Sequence, residues 1–290
     1  MSSLDAALDR IRPEVIDGHL RFLSHPLLEG RAPGTRGGQV ASEYILAQFR
    51  RIGLQPVGGS YLQPVPLVGM IPEPTLSLRC PDGSTVDPPY RDAFTMKAGL
   101  PKPEVEADGE LVYVGYGITA PEYGWDDYKD VDVRGKVLLV RVNDPGTEAT
   151  PGFFGGKALT YYGRWTYKYE EASRRGAAGA ILIHTDESAG YGWNVVRTSN
   201  TGQQFDLSGE PEFPLAVKGW ISLPAVTDVL RRAGHDVDEL LRRSEDRDFR
   251  PVPTGVQVRA RVRSQVKEVS TANVVGLLPG SAPSREAEVV

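Results

Sequence analysis

The histidines are the first side chains to test for chemistry. A catalytic zinc needs at least three His, Asp or Glu ligands converging on one point, and the chain has four histidines, His19, His25, His184 and His235. His19 and His25 are six residues apart on one expected helix, so they point roughly 240° apart and do not share an ion. His184 ends an apolar strand and His235 follows a helix. No His-Glu-x-x-His occurs and no closely spaced His/Asp pair is read, so no residue of this chain is taken as a metal ligand. A nucleophile search yields no Gly-x-Ser-x-Gly elbow. Cys80 is the single cysteine. It closes the alternating run Leu76-Ser77-Leu78-Arg79-Cys80, as a buried strand residue would, and a nucleophilic role is the other reading. No catalytic residue is assigned.

Three clusters remain. The loop Gly34-Thr35-Arg36-Gly37-Gly38 opens a helix; it could cradle an anion on its amides or simply make a tight lead-in. It lacks the Lys-Ser/Thr ending of a phosphate loop. Glu122, Asp126, Asp127 and Asp130 crowd around Trp125 and Tyr128, which fits either a calcium or acid/base site or turn and capping chemistry. The aromatics Tyr161, Tyr162, Trp165, Tyr167, Tyr169, Tyr191 and Trp193 concentrate in about thirty residues. They line a ligand surface or form a satellite core.

The elements that must position these residues follow from hydrophobic period and punctuation. Apolar residues at helical spacing predict helices from about Pro13 to Leu28 and from Gln39 to Ile52, the second stopped by Gly53. Tyr61 to Val68 is a strand interrupted by proline, expected at an edge. After Ile71-Pro72-Glu73-Pro74 the texture turns to short strands: Leu76 to Cys80, Glu110 to Val114 and Val137 to Val142. Tyr169 to Arg175 is a helix, Gly176 to Gly179 a turn and Ala180 to His184 a buried strand. Helices follow at Leu223 to Ala233 and Val237 to Arg243, then strands at Val256 to Val266 and Thr271 to Leu278. Glu288-Val289-Val290 begins a further apolar run. These changes divide the chain into residues 1–70, 71–267 and 268–290.

With 38 acidic and 33 basic residues the net charge is −5, and the two signs are well mixed. No basic stripe is present, so nucleic acid is not an expected partner. No stretch reaches the roughly 20 apolar residues of a bilayer span, so no membrane partner is expected. A lone cysteine leaves no internal disulfide and no multi-thiolate zinc site. Met1 to Glu14 carries Asp5, Asp9, Arg10 and Arg12 and no apolar core of a signal peptide. The default compartment is therefore cytoplasmic, or secreted or periplasmic if the start is trimmed.

Several segments together resemble the dizinc exopeptidases of the aminopeptidase Y, glutamate carboxypeptidase and transferrin-receptor type. Leu23-Ser24-His25-Pro26-Leu27-Leu28-Glu29-Gly30-Arg31-Ala32-Pro33-Gly34-Thr35 is similar to that family's opening segment. The match continues in Ile52-Gly53-Leu54-Gln55-Pro56 and Tyr61-Leu62-Gln63-Pro64-Val65. Tyr113-Val114-Gly115-Tyr116-Gly117, Asp132 to Val140 and Ala172 to Ile183 resemble the protease-associated (PA) domain inserted in these enzymes. Thr271 to Gly280 resembles the strand that re-enters the peptidase domain.

The resemblance implies an α/β fold: an incomplete peptidase sandwich of N-terminal helices and first strands, with an inserted β-rich α+β PA domain. It implies an aminopeptidase-like parent in which two zinc ions activate water and a glutamate acts as base, with a peptide as substrate. The first ligands, a His-x-Asp, would come within roughly ten residues after Val290. This chain is then expected to bind no zinc, to be inactive alone, and to self-associate through its incomplete sheet. Arg164, Tyr191 and Trp193 are the candidates for side chains facing substrate. A non-catalytic PA-type interaction module is the alternative.

Overall fold

The computed structural model describes residues 5, 8–150 and 152–280. In chain order, α1 is Pro13–Leu23, α2 Arg36–Arg51, β1 Gln55–Pro56, β2 Leu62–Arg79, β3 Thr85–Val86, β4 Phe94–Ala98 and β5 Glu104–Tyr113. Then come β6 Thr119–Ala120, β7 Trp125–Asp126, β8 Val137–Arg141, α3 Trp165–Arg174, β9 Gly179–His184, α4 Asp186–Ala189 and α5 Trp193–Ser199. The last are β10 Gln204–Leu207, β11 Val217–Ser222, α6 Leu223–Arg232, α7 Val237–Arg243, β12 Val252–Val274 and β13 Gly276–Leu277. Among the described residues no helix is long and apolar enough to cross a membrane.

By compactness the chain forms two units, Met1–Val68 with Glu268–Val290, and Gly69–Lys267. In the first, α1 ends at Leu23 rather than near Leu28. Pro26 is the reason: it holds His25 in extended backbone at φ −66°, ψ 135°, the conformation that a residue before proline prefers. A short 3-10 turn, Pro26–Leu28, follows. His25 is therefore not on the helix of His19, which corrects the expected pairing of the two on one element. α2 is capped by Thr35, whose hydroxyl accepts from the Gly38 amide at 3.1 Å, and Gly53 at φ +80° follows its end. β1 pairs antiparallel with β13, Gln55 opposite Leu277, and the Val275 amide donates to the Tyr61 carbonyl at 2.8 Å.

The strands expected on either side of residues 71–74 are one, since β2 runs through, while the division into units falls at Val68/Gly69, beside the expected 70/71. Pro64, Pro66, Pro72 and Pro74 are spaced by even numbers, so every missing N–H faces the same side and the other side keeps its bonding groups. The strand expected at Glu288-Val289-Val290 lies outside the described residues.

The unit Gly69–Lys267 is built on parallel strands. β5, β8, β9 and β11 run parallel in that order, with Leu111 opposite Val137, Val137 opposite Gly179, and Gly179 opposite Val217. β4 and β12 flank them antiparallel, against β11 and β5, and β2 and then β10 continue the sheet beyond β12. β8 and β9 are continuous apolar runs because the sheet buries both their faces. α3 crosses from β8 to β9 and packs Tyr169 and Ala172 into a core with Leu138, Val140, Ala180, Leu182 and Trp220. A second cluster collects Tyr116, Ile118, Trp125, Phe154 and Tyr167. The architecture is α/β with an inserted β-rich unit.

Candidate functional site

The carboxyl ends of the parallel strands β8, β9 and β11 open onto a crevice, the usual binding place in an open α/β sheet. Two adjoining hollows share Thr185, Glu187, Asp238 and Leu241. The first, about 500 Å³, is lined by Tyr116, Arg141, Asn143, Asp144, Arg242 and Glu245 among others. The second, about 980 Å³, has apolar walls from Pro89, Ala93, Leu223, Pro224, Ala225 and Trp193, with Asp92, His184 and Asp186 beside them.

His184 is the last residue of β9 and is 3% exposed. Its Nε2 lies 3.2 Å from a carboxylate oxygen of Asp186, while its Nδ1 is buried without a partner. A carboxylate only accepts, so Nε2 carries a proton, and in the neutral ring Nδ1 is then the acceptor. The imidazole is ringed by aromatics: Tyr191 stacks on it at 5.8 Å, Trp193 lies at 5.6 Å and Trp220 at 6.2 Å. Trp193 is tied down in turn, its indole N–H donating to the Arg91 carbonyl at 2.9 Å.

Two of the three sequence candidates, Tyr191 and Trp193, thus meet at one histidine. Arg164 does not join them. It precedes α3 in extended backbone, at φ −68° and ψ 140°, and lines neither hollow. The pair His184 and Asp186 was readable as His-x-Asp in the sequence, and assigning no His/Asp pair there is corrected by their contact. The aromatic-rich stretch splits between its two readings. Tyr162 and Tyr167 belong to the second core cluster, and the buried Tyr169 donates to the Gly219 carbonyl, whereas Tyr191 is 39% exposed.

In the acidic cluster Asp126 serves a turn, whereas Glu122 is bonded across the chain. Asp126 accepts from the Tyr128 amide at 2.9 Å, and Glu122 accepts from the Tyr162 hydroxyl at 2.6 Å. Asp127, 1% exposed, accepts from the Ile118 amide at 2.9 Å. Burial raises the Asp127 carboxyl above the ordinary range. Behind the first hollow, Lys168 is also 1% exposed and its ammonium donates to the Asn143 carbonyl at 2.8 Å. Burial lowers Lys168 well below the usual 10.5, and the nearby Asp127 and Asp144 offset part of that. Sequence reading missed Lys168, since a lysine on an amphipathic helix normally marks its wet face. The only signal was its place between Tyr167 and Tyr169.

Among the described residues, no group of three or more His, Cys, Asp or Glu is placed to hold a metal ion. His19 Nδ1 is instead 2.9 Å from the Tyr44 hydroxyl, and His25 Nδ1 accepts from the Leu27 amide. His184 and Asp186 bond to each other and lack a third ligand. The residues described do not fit a pair of zinc ions.

A model of the PA domain family matches residues 107–216, so the chain carries a PA domain within its Gly69–Lys267 unit. No curated protein matches the chain. Among solved structures, an aminopeptidase from Aneurinibacillus sp. strain AM-1 is similar at 22% identity and a TM-score of 0.47, covering 95% of this chain and 50% of that one. BSAP, a zinc aminopeptidase from Bacillus subtilis, is similar at 14% identity and a TM-score of 0.36, covering 91% of this chain and 47% of its own. The chain spans about half the length of each.

Proposed function

We propose that this chain is the N-terminal portion of a zinc-dependent, aminopeptidase-like exopeptidase, with its PA domain shaping substrate access. One observation carries the reading: the PA domain interrupts a unit whose two flanks come back together. The opening segment and the re-entry segment, both similar to the dizinc exopeptidases, touch within that unit. Gln55 and Pro56 pair with Leu277 and Gly276, and a Cβ placed on Gly34 would lie 2.4 Å from Cγ1 of Val269, two residues before the re-entry segment. An inserted domain leaves this pattern, because the host must close on itself around the insertion.

On this reading the two zinc ions, the glutamate base and the peptide substrate belong to the longer protein. Self-association of the chain as given is part of the same proposal, supported by the exposed Leu20, Leu27, Ile52 and Leu278. The test is the coding sequence beyond Val290, followed by zinc content and hydrolysis of a leucyl chromogenic substrate. A His-x-Asp soon after Val290 and a later Glu-Glu pair are expected. The longer product should bind two zinc ions and cleave, and the 290-residue chain should do neither. A stop codon or substituted ligands would leave a non-catalytic PA module in its place.

A further inference from the structure

We propose that the crevice at the carboxyl ends of β8, β9 and β11 binds a peptide segment presenting an arginine beside an apolar side chain. Every residue of the crevice lies within Gly69–Lys267, so the inference goes beyond the exopeptidase reading and does not rest on it.

Charge decides the sign of the ligand. The second hollow is rimmed by Asp92, Asp186, Glu187 and Asp238. The Arg197 guanidinium, 3.5 Å from Asp92, is the one cation paired with this rim among the described residues. Three of the carboxylates also sit in first helical turns, Asp186 and Glu187 in α4 and Asp238 in α7. Stabilising those ends is the bland explanation for them. A helix end, however, supplies only about half a positive charge. Even with α4, α6 and α7 all starting at the crevice, roughly one and a half positive charges, Arg197, and Arg141 and Arg242 of the adjoining hollow face six carboxylates, the four of this rim with Asp144 and Glu245. The rim stays net negative, and Asp186 remains exposed over 79% of its side chain. A cation is favoured there.

The walls decide the rest. Between the carboxylates the hollow is apolar, closed by Pro89, Ala93, Leu223, Pro224, Ala225 and the face of Trp193. A guanidinium stacks on such an indole and buries its own methylenes while its charged end stays among the carboxylates. In its neutral form His184 adds a specific acceptor: its Nδ1 is buried without a partner at the crevice wall, an arrangement that is unfavourable until a donor reaches it. Tyr191, which stacks on the imidazole, is itself 39% exposed. The adjoining polar hollow gives the next residue of an extended chain a second subsite, which favours a peptide over a compact ligand.

The test titrates the 290-residue chain with acetyl-Leu-Arg-Leu-amide and acetyl-Leu-Glu-Leu-amide, following heat and tryptophan fluorescence. Binding of the arginine peptide with a dissociation constant below about 1 mM is expected, at least about tenfold tighter than the glutamate peptide. The double variant Glu187→Gln/Asp238→Asn should weaken the arginine peptide about tenfold, as expected for two exposed charge pairs. Ala225→Trp, which fills the apolar hollow, should remove its binding. Both variants are checked by near-ultraviolet circular dichroism, so that misfolding is not mistaken for lost affinity. Equal affinity for the two peptides, no binding of the arginine peptide at several times that concentration, or full affinity in both folded variants would overturn the proposal.

Discussion

Lys168 is the residue whose behaviour departs furthest from its type. A buried ammonium without a carboxylate in contact is held by one carbonyl and by more distant charges, so its proton is loosely bound in the native state. The sign follows from linkage. The native pKa lies below the unfolded value of 10.5, so over the interval between them the unfolded chain holds more protons. Stability therefore rises with pH there, by up to about 1.4 kcal/mol per pH unit for one proton. Urea unfolding at pH 7.5, 8.5 and 9.5, roughly within that interval, should show the rise, and Lys168→Met should flatten it. A remainder is expected from Lys218, which burial also lowers. Cys80, Tyr113 and Tyr116 are raised by burial, so their unfolded forms ionise first and oppose the rise toward pH 9.5, an effect that Lys168→Met leaves in place. A slope unchanged in Lys168→Met would mean that the native ammonium stays protonated throughout. The contrast with Cys80 is instructive, since its alternating neighbours foretold burial and it is 3% exposed. Lys168 lacked such a marker because its burial depends on Asn143, 25 residues away.

At the scale of elements, two glycines in helices of the same unit carry opposite expectations. Gly37 lies in the first turn of α2, and a Cβ there would sit 1.9 Å from the Leu28 carbonyl oxygen and 2.1 Å from that of Gly30. Both obstacles are backbone, so Gly37→Ala forces the helix off the 3-10 turn before it and should cost about 2–3 kcal/mol. Gly18, inside α1, has open space where the Cβ would go, and Gly18→Ala should gain about 0.5–1 kcal/mol. Thermal denaturation of the two variants reads both signs, and a neutral Gly37→Ala would sink the packing argument. This contact also explains the Gly34 to Gly38 loop, whose small residues serve close approach. Legibility followed the range of the forces. Val237–Arg243 matches the sequence expectation residue for residue, and the second helix and β9 differ from it only at their ends, because caps, glycine stops and apolar runs are local. β4, β10 and β11 were not foreseen: their pairing is decided by strands far away in the chain, as Val217 facing both Ala98 and Gly179 makes plain. The crevice was hidden for the same reason, although Tyr191 and Trp193 were singled out.

On the scale of the molecule, apolar burial is unevenly shared between the two units. Among the described residues the buried apolar side chains of Met1–Val68 and Glu268–Val290 are Ala41 and Val68, and α1 has no buried residue at all. Val15, Ile16, Leu20 and Phe22, the face that made α1 predictable, are each at least 40% exposed. Gly69–Lys267, by contrast, buries both faces of β8 and β9 together with Tyr113, Tyr128, Phe94 and Phe154. Each fully buried large apolar side chain contributes about 1.5–3 kcal/mol toward offsetting chain entropy, so the second unit holds far more of the stabilising terms. The two should unfold separately, the smaller first. Calorimetry is expected to show a broad early transition before the main one, and hydrogen exchange should find α1 amides exchanging through local opening while β8 and β9 exchange only on global unfolding. Binding partners that cover the α1 face should raise the early transition and leave the late one in place. A single transition with equal calorimetric and van't Hoff enthalpies, together with matched protection of α1 and β9, would show instead that the chain folds as one cooperative body.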